Sequence, residues 1–123
     1  MHELGLVNYV VKQVTRIAEE NDVKRVCSGT LEFGEVSGIV PSYLYDYWKW
    51  YSKKFPLFDG AELICETIPA VTRCGDCGKN YPTVRYGKTC PYCGSLNTYL
   101  VQGNEFMIKE IEVVDSPQGG DGR

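Results

Sequence analysis

The feature that most constrains the fold is a pair of C-x-x-C motifs in the second half of the chain. Cys74 and Cys77 form the first pair, Cys90 and Cys93 form the second, and 12 residues separate the pairs. Two residues between thiols allow one tight turn to present both sulfurs to one ion, so two such turns supply four tetrahedral ligands. Four thiolates leave no open coordination position, and we therefore predict a metal site with a structural role.

The residues that follow the cysteines agree with metal-binding turns. Gly78 and Gly94 each come directly after the second cysteine of a pair, where a positive φ lets the chain turn around the ion. Zinc is the predicted ion, iron bound as in rubredoxin is the alternative, and two disulfides are disfavoured. A small loop of this kind depends on its metal for folding.

The composition indicates a small globular protein with protein partners. The chain has 123 residues and a net charge of −3, which argues against a dedicated nucleic-acid binder. Charged residues interrupt the N-terminal apolar positions, and no apolar run of about 18 residues exists, so we predict a cytoplasmic protein that does not bind membranes. A reducing compartment favours metal thiolates over disulfides, which leaves Cys27 and Cys65 as predicted free thiols in the core.

Two helices are predicted from hydrophobic periodicity. Apolar residues recur at three- and four-residue steps over 3–20, with charged residues opposite, which is typical of an amphipathic helix. Pro41 suits the first turn of a second helix, which we expect to run to about Lys54. Its predicted core stripe contains Leu44, Tyr47, Trp48, Tyr51 and Phe55.

Three strands are predicted from β-type residues, over 26–33, 61–69 and 106–114. In the first strand, partial alternation places Cys27, Leu31 and Phe33 on one predicted face. We expect the second and third strands to pair with each other, with the metal module inserted between them.

These elements predict an α+β fold, namely a small three-stranded sheet with two helices plus an inserted zinc-knuckle or zinc-ribbon-like domain. The predicted domains are 1–69 together with 104–115, and 70–103 for the zinc module. Residues 116–123 carry no apolar side chain and are predicted to form a disordered tail.

A second candidate metal site lies at the N-terminus, where position 2 holds the only histidine of the chain. The tripeptide alone favours a solvated terminal histidine, and a metal chelate is the alternative. His2 is bulky, so we expect Met1 to be retained beside it. The Met1 amine, the amide nitrogens of His2 or Glu3 and a His2 ring nitrogen would then form a chelate. Nitrogen donors in a plane suit Ni(II) or Cu(II).

The chain as a whole resembles the HypA/HybF family of hydrogenase nickel-incorporation proteins from Met1 to about Val114. Several segments carry the resemblance: Met1-His2-Glu3-Leu4, Gly34-Glu35-Val36-Ser37-Gly38, Gly60-Ala61-Glu62-Leu63, Ile68-Pro69-Ala70, Gly103-Asn104-Glu105 and the two cysteine motifs. The resemblance implies an α/β nickel-binding domain and a separate zinc domain.

The resemblance also implies the metals and their ligands. It assigns Ni(II) to His2 with the Met1 and Glu3 backbone nitrogens, and structural zinc to the four cysteines, Cys74, Cys77, Cys90 and Cys93. Family members deliver nickel to the large subunit of nickel-iron hydrogenase with a partner GTPase, and some serve urease maturation. The family carries out no catalytic step, which agrees with a single terminal histidine that cannot complete a conventional triad.

One departure from the family concerns the nickel site. Val40, before Pro41, stands where an acidic residue is frequent. Because the chain has no other histidine, an additional side-chain ligand would have to be a carboxylate, a thiol or a group of a partner, and Glu3 is the nearest candidate.

Two alternatives from other classes remain open. A zinc-ribbon module for nucleic acid or transcription is supported by Arg73, Lys79, Arg85 and Lys88 near the cysteines, although the overall acidity opposes it. A rubredoxin-like iron electron carrier shares the C-x-x-C-G and C-P-x-C-G motifs, but it separates them by more residues and lacks two long helices.

Overall fold

The computed structural model describes residues 3–114, which form two compact units. Over these residues, unit 1 comprises 3–31, 39–65 and 108–114, and unit 2 comprises 32–38 and 66–107. Met1, His2 and the predicted tail over 116–123 lie outside the described residues. The domain division at 69/70 and 103/104 stays a prediction.

The elements follow one another as α1, β1, α2, two 3-10 turns, β2 to β4, a short α3, β5 and β6. Their bounds are α1 Glu3–Glu20, β1 Val26–Gly34, α2 Pro41–Tyr51, 3-10 turns Ser52–Lys54 and Pro56–Phe58, β2 Glu62–Ile68, β3 Val71–Cys74, β4 Asn80–Pro82, α3 Thr83–Tyr86, β5 Thr98–Gln102 and β6 Phe106–Val113. Within 3–114, no helix combines the length and the apolar character needed to cross a membrane.

Helix α1 confirms the predicted first helix. Its apolar face is buried through Leu6, Val7, Val10, Val11, Val14 and Ala18. The helix ends in a Schellman arrangement, because Val23 N–H donates to Ala18 O at 2.8 Å and Asp22 takes a φ of 55°. A short polar side chain tolerates this left-handed conformation, which explains why Asn21-Asp22 stops the helix.

The predicted three-stranded sheet is confirmed, but the predicted pairing of its outer strands is wrong. The strand order is β2-β1-β6, so β2 and β6 flank β1 and do not pair with each other. Strand β1 carries mostly buried residues, whereas β2 and β6 are largely half-buried or exposed. The most buried strand therefore occupies the centre of the sheet.

The predicted core position of Cys27 is also wrong. In β1, Ser28 and Thr30 are buried at alternate positions, and the buried positions then shift to Leu31 and Phe33. Cys27 falls on the exposed side of this pattern. Cys65 is half-buried, so neither thiol belongs to the core.

The second helix has the predicted extent but a tighter last turn. Helix α2 ends at Tyr51 and continues as a 3-10 turn to Lys54. Leu44 is fully buried and Trp48 nearly so. The Trp48 ring packs edge-on against Phe58 at 5.3 Å between centroids, and its Nε1–H donates to Ala61 O at 3.0 Å. A buried indole N–H thus finds an acceptor within unit 1.

Unit 2 contains a second sheet that the sequence did not predict. Its strand order is β4-β3-β5, and both pairs are antiparallel. These strands are short and contain many polar residues, so they lack the apolar alternation by which strands are recognised. The buried cluster around them consists of Cys74, Tyr81 and Cys90.

Candidate metal centre

The structure brings the four predicted zinc ligands together. The sulfurs of Cys74, Cys77, Cys90 and Cys93 all lie within 4.8 Å of one another. Cys74 Sγ lies 3.5 Å from Cys93 Sγ, and Cys77 Sγ lies 3.6 Å from Cys90 Sγ. These distances exceed a disulfide bond of about 2.05 Å, and all four thiols are free. They are close to the edge of about 3.8 Å expected for sulfurs at 2.3 Å from a tetrahedral zinc.

Each pair of cysteines is presented by a turn with the same hydrogen bonds. In the first turn, Cys74 N–H donates to Lys79 O at 3.0 Å and Gly78 N–H donates to Cys74 O at 2.9 Å. The second turn has the equivalent bonds. Gly94 N–H donates to Cys90 O at 2.9 Å, and Cys90 N–H donates to Ser95 O at 3.0 Å. Two equivalent turns therefore face each other across the sulfurs.

The glycines of both turns have the predicted conformation. Gly78 and Gly94 each take a φ of 75°, a left-handed value that a residue with a Cβ adopts at a cost. The prediction made from their positions after Cys77 and Cys93 is confirmed.

The thiols differ in acidity because their hydrogen bonds differ. The Cys77 backbone N–H, which donates to Cys74 Sγ at 3.4 Å, lowers the pKa of Cys74 to about 6. The Ser95 backbone N–H lowers the pKa of Cys93, but the Cys74 thiol, burial and the other thiols outweigh it and raise that pKa to about 12. Four thiols this close cannot all ionise without a cation between them, so the donor set fits a divalent metal that prefers sulfur.

A polar network that the sequence analysis missed joins the two turns. The Asp76 carboxylate, between the first two cysteines, accepts hydrogen bonds from the Ser95 hydroxyl and from Asn97 Nδ2, the latter at 3.1 Å. The Ser95 hydroxyl and then the Asn97 amide lower the pKa of Asp76. Gly75 N–H also donates to Asn97 O at 2.8 Å. The sequence does carry one signal for this network, which is the charged Asp76 between Cys74 and Cys77.

Comparison with known proteins identifies the family. A family model described as hydrogenase/urease nickel incorporation, metallochaperone, HypA matches residues 1–113. The chain belongs to the HypA family. The resemblance stated from the sequence is thereby confirmed, and members of this family act as nickel metallochaperones in the maturation of hydrogenase.

Relatives named HypA are similar over nearly their whole length. The chain is 34% identical to the hydrogenase maturation factor HypA of Geobacter metallireducens, over 92% of this chain and 99% of the relative. It is 33% identical to HypA of Dehalococcoides mccartyi strain 195, over 96% of this chain and 98% of that protein. The solution structure of the Ni metallochaperone HypA from Helicobacter pylori has the same fold, with a TM-score of 0.68, 22% identity and coverage of 93% and 98%.

Three of the segments that resemble HypA, around 34–38, 68–70 and 103–105, contact one another within unit 2. Their sequence did not predict this contact. Backbone hydrogen bonds join them: Gly34 N–H to Glu105 O at 2.9 Å, Glu35 N–H to Ile68 O at 2.8 Å and Val36 N–H to Gly103 O at 2.9 Å. The Glu35 carboxylate also accepts from Ala70 N–H at 2.8 Å. The segments that enter and leave the cysteine turns are therefore both bound to residues 34–36.

Two glycines permit this close approach of three backbones. A Cβ on Gly34 would lie 1.8 Å from the carbonyl carbon of Gly103. A Cβ on Gly103, whose φ is 119°, would lie 2.5 Å from Ala70 Cα. Larger residues have no room at either position, which gives a physical reason for these glycines in the segments that resemble HypA.

The predicted nickel ligands are described only at Glu3, because Met1 and His2 lie outside residues 3–114. Glu3 is the first residue of α1. Its Oε2 accepts a hydrogen bond from Val40 N–H at 2.9 Å. The carboxylate named as the nearest additional ligand thus contacts the backbone of Val40.

Proposed function

We propose that this chain binds Ni(II) at its N-terminus and delivers it to the large subunit of nickel-iron hydrogenase during maturation. The observation that carries the proposal is the match of the HypA family model to residues 1–113, which includes the N-terminal residues and both cysteine pairs. Nickel is the cargo in this proposal, and the chain is assigned no enzymatic step.

The proposed nickel ligands are the Met1 amine, backbone amide nitrogen of His2 or Glu3, and a His2 ring nitrogen. The free amine has a pKa of about 8 and imidazole one of about 6.5. Both must lose a proton before they bind the metal, so nickel affinity falls as the pH falls through these values. Nitrogen donors in a plane suit Ni(II). A carrier of this kind holds nickel reversibly.

The proposed role of the cysteine quartet is to hold a structural zinc ion. Cys74, Cys77, Cys90 and Cys93 would supply all four ligands, which leaves no position for water or substrate. The bound ion would stabilise the fold of unit 2, whose buried cluster consists of two of these cysteines and Tyr81. Zinc suits four thiolates better than the hard cations do.

The proposed partners follow from family membership. They are the hydrogenase large subunit, the partner GTPase of hydrogenase maturation and, in organisms with urease, urease accessory proteins. These proteins would meet the chain in the cytoplasm. The net charge of −3 favours protein partners over nucleic acid.

The proposal is tested by calorimetric Ni(II) titration of the zinc-loaded protein with its authentic N-terminus, beside a copy that carries one extra N-terminal residue. The extra residue displaces the amine from its place next to His2. We expect one nickel with a planar-type absorption spectrum for the authentic protein only. Equal binding by both proteins, or binding by neither, would show that the N-terminal chelate is not the site.

A His2→Ala variant provides the matched control. We expect it to lose tight nickel binding while its zinc content and circular dichroism stay unchanged, because residue 2 precedes α1. Loss of zinc or of helical signal in this variant would contradict the separation of the two metal sites.

A further inference from the structure

The four cysteines of the candidate metal centre differ in their access to solvent. Cys74 is 0% exposed and Cys90 is 2% exposed, whereas Cys77 and Cys93 are exposed. Each turn therefore has a buried first cysteine and an exposed second cysteine. A reagent that arrives from solvent meets one cysteine of each turn.

The position of each cysteine in its turn explains this difference. Cys74 is the last residue of β3, and it belongs with Cys90 to the buried cluster of unit 2. Cys77 and Cys93 lie outside that cluster, each before a glycine with a φ of 75°. A Cβ on Gly94 would meet no atom within 4 Å, so no described residue covers the backbone next to Cys93.

Metal binding removes the difference in protonation among the four thiols. A thiol that coordinates a metal is deprotonated outright, and the thiolate is the form that reacts with oxidants and alkylating reagents. In the zinc-bound module all four sulfurs are therefore thiolates, and solvent access decides which of them reacts first. Cys77 and Cys93 are the two that solvent reaches.

Each exposed cysteine lies beside a buried cysteine of the other turn. Cys77 Sγ is 3.6 Å from Cys90 Sγ, and Cys93 Sγ is 3.5 Å from Cys74 Sγ. A disulfide needs about 2.05 Å between its sulfurs, so each pair would close by a movement of about 1.5 Å. Disulfides in these two pairs would join the turns, whereas disulfides within each C-x-x-C motif would leave the turns unconnected.

We propose that Cys77 and Cys93 are oxidation sites, at which a peroxide converts the metal-bound cysteines into two disulfides across the turns and releases the ion. The proposal rests on the structural zinc proposed above. Because both disulfides join the turns, the oxidised module keeps its four cysteines together and binds zinc again after reduction by a thiol.

The oxidation balances with one molecule of hydrogen peroxide for each disulfide. The Cys93 thiolate attacks a peroxide oxygen, an S–O bond forms, the O–O bond breaks and hydroxide leaves. The Cys74 thiolate then attacks the sulfur of this sulfenic acid, the S–S bond forms and a second hydroxide leaves. The two sulfurs lose two electrons, which reduce the peroxide. The same steps join Cys77 to Cys90, and the ion leaves because thiolates are its ligands.

The first test is alkylation of the zinc-loaded full chain with substoichiometric iodoacetamide, followed by peptide mass spectrometry. The reagent is kept below one label per molecule, because the loss of one ligand weakens the whole site. We expect Cys77 and Cys93 to be labelled at least tenfold faster than Cys74 and Cys90. In denaturant with a chelator, the same chain should label all four at similar rates.

The second test is oxidation of the zinc-loaded chain with hydrogen peroxide. A chromophoric chelator follows the released zinc, and peptide mapping without reduction identifies the disulfides. We expect zinc release together with the disulfides Cys77–Cys90 and Cys74–Cys93. Dithiothreitol with added zinc should restore the zinc content.

Cys27→Ala is the matched control for both tests, because it removes the exposed thiol of unit 1, which competes for the reagents. The variant should show the same labelling ratio, the same zinc release and the same disulfides as the natural chain.

Several outcomes would overturn the proposal. They are equal labelling of the four cysteines in the zinc-loaded chain, disulfides within either C-x-x-C motif, and retention of zinc at a peroxide concentration that oxidises Cys27. A purified chain without zinc would overturn the structural zinc and this proposal together. The first three results would leave the structural zinc standing, so the two failures are distinguishable.

Discussion

The two units of this protein are stabilised by different means. Unit 1 has a large set of buried apolar residues, which includes Leu6, Val7, Val10, Val11, Val14, Ala18, Val26, Leu31, Leu44, Trp48, Phe58 and Leu63. In unit 2 the buried hydrophobic residues are fewer, namely Phe33, Ala70 and a cluster of Cys74, Tyr81 and Cys90. Two of the three residues of this cluster are proposed metal ligands. The difference therefore predicts that unit 1 rests on hydrophobic burial and that unit 2 depends on the ion proposed for its cysteine site.

Magnitudes support this contrast. Burial of one large apolar side chain contributes about 1.5–3 kcal/mol, and unit 1 buries many of them. A structural zinc site contributes about 10–16 kcal/mol of apparent binding free energy at neutral pH. The proposed ion can therefore supply the stabilising free energy that the small buried cluster of unit 2 lacks.

The largest effect is expected from Cys90→Ala, which breaks unit 2 alone. The variant should lose zinc and the amide dispersion of residues 70–103, because three thiolates and Tyr81 cannot replace the closed site. Metal analysis and ¹⁵N NMR measure the two effects. Cys27→Ala, at an exposed thiol, is the control and should change neither. Full zinc content in Cys90→Ala would contradict the assignment.

The next effect is expected from Leu44→Ala, which weakens unit 1 alone. Leu44 is fully buried, so the cavity should lower the free energy of unfolding of unit 1 by about 2–5 kcal/mol. Denaturant titration followed by tryptophan fluorescence measures this, because both tryptophans lie on α2. Tyr43→Ala, at a side chain that is 53% exposed, should have little effect. Zinc loss from Leu44→Ala would mean that the units are not independent in stability.

A smaller effect is expected from Asp76→Asn, which tests whether unit 2 needs more than its four thiols. Loss of the charged acceptor for Ser95 and Asn97 should weaken zinc retention about tenfold at neutral pH, measured by competition with a chelator. Folding lowers the pKa of Asp76 from 3.8. Its contribution to the stability of the folded state is therefore complete above pH 3.8 and is lost as the pH falls through the lower pKa of the folded state. Asp46→Asn on α2 is the control, and equal zinc retention in both variants would remove Asp76 from the site.

The smallest effect is expected from Tyr51→Phe in unit 1. Tyr51 Oη donates to Asn8 Oδ1 at 2.7 Å in a partly buried contact between α2 and α1. Loss of this hydrogen bond should lower the free energy of unfolding by about 1 kcal/mol. Tyr43→Phe serves as the exposed control in the same denaturant titration. A loss as large as that of Leu44→Ala would show that unit 1 depends on polar contacts more than on its core.

The predictable part of the fold is the part with a strong hydrophobic period. Helix α1 is predicted from Glu3 to Glu20 and is observed there, because its buried residues recur at helical spacing from Leu6 to Ala18. The three strands of the first sheet were also located. Their order was not predictable from local pattern, because β1 takes the centre through contacts that are distant in sequence.

The incorrect or absent predictions occur where the local hydrophobic pattern is weak or changes along the chain. Cys27 was assigned to the buried face because the pattern of Leu31 and Phe33 was extended backwards, but the buried positions shift at Thr30. Strands β3 to β5 are short, and their order depends on the cysteine turns. In the candidate site, spacing identified the four cysteines, whereas Asp76 and its partners could be recognised only once the two turns faced each other.

The contact between Gly34 and the segment around Glu105 has a consequence for the order of folding. Gly34 N–H finds its acceptor, Glu105 O, about 70 residues later in the chain, so the closure of this loop costs entropy that local contacts do not repay early. The cysteine turns need only about 20 consecutive residues. During synthesis, we therefore expect metal capture to precede the closure of the backbone around Gly34, so that the ion is in place before the last strand emerges.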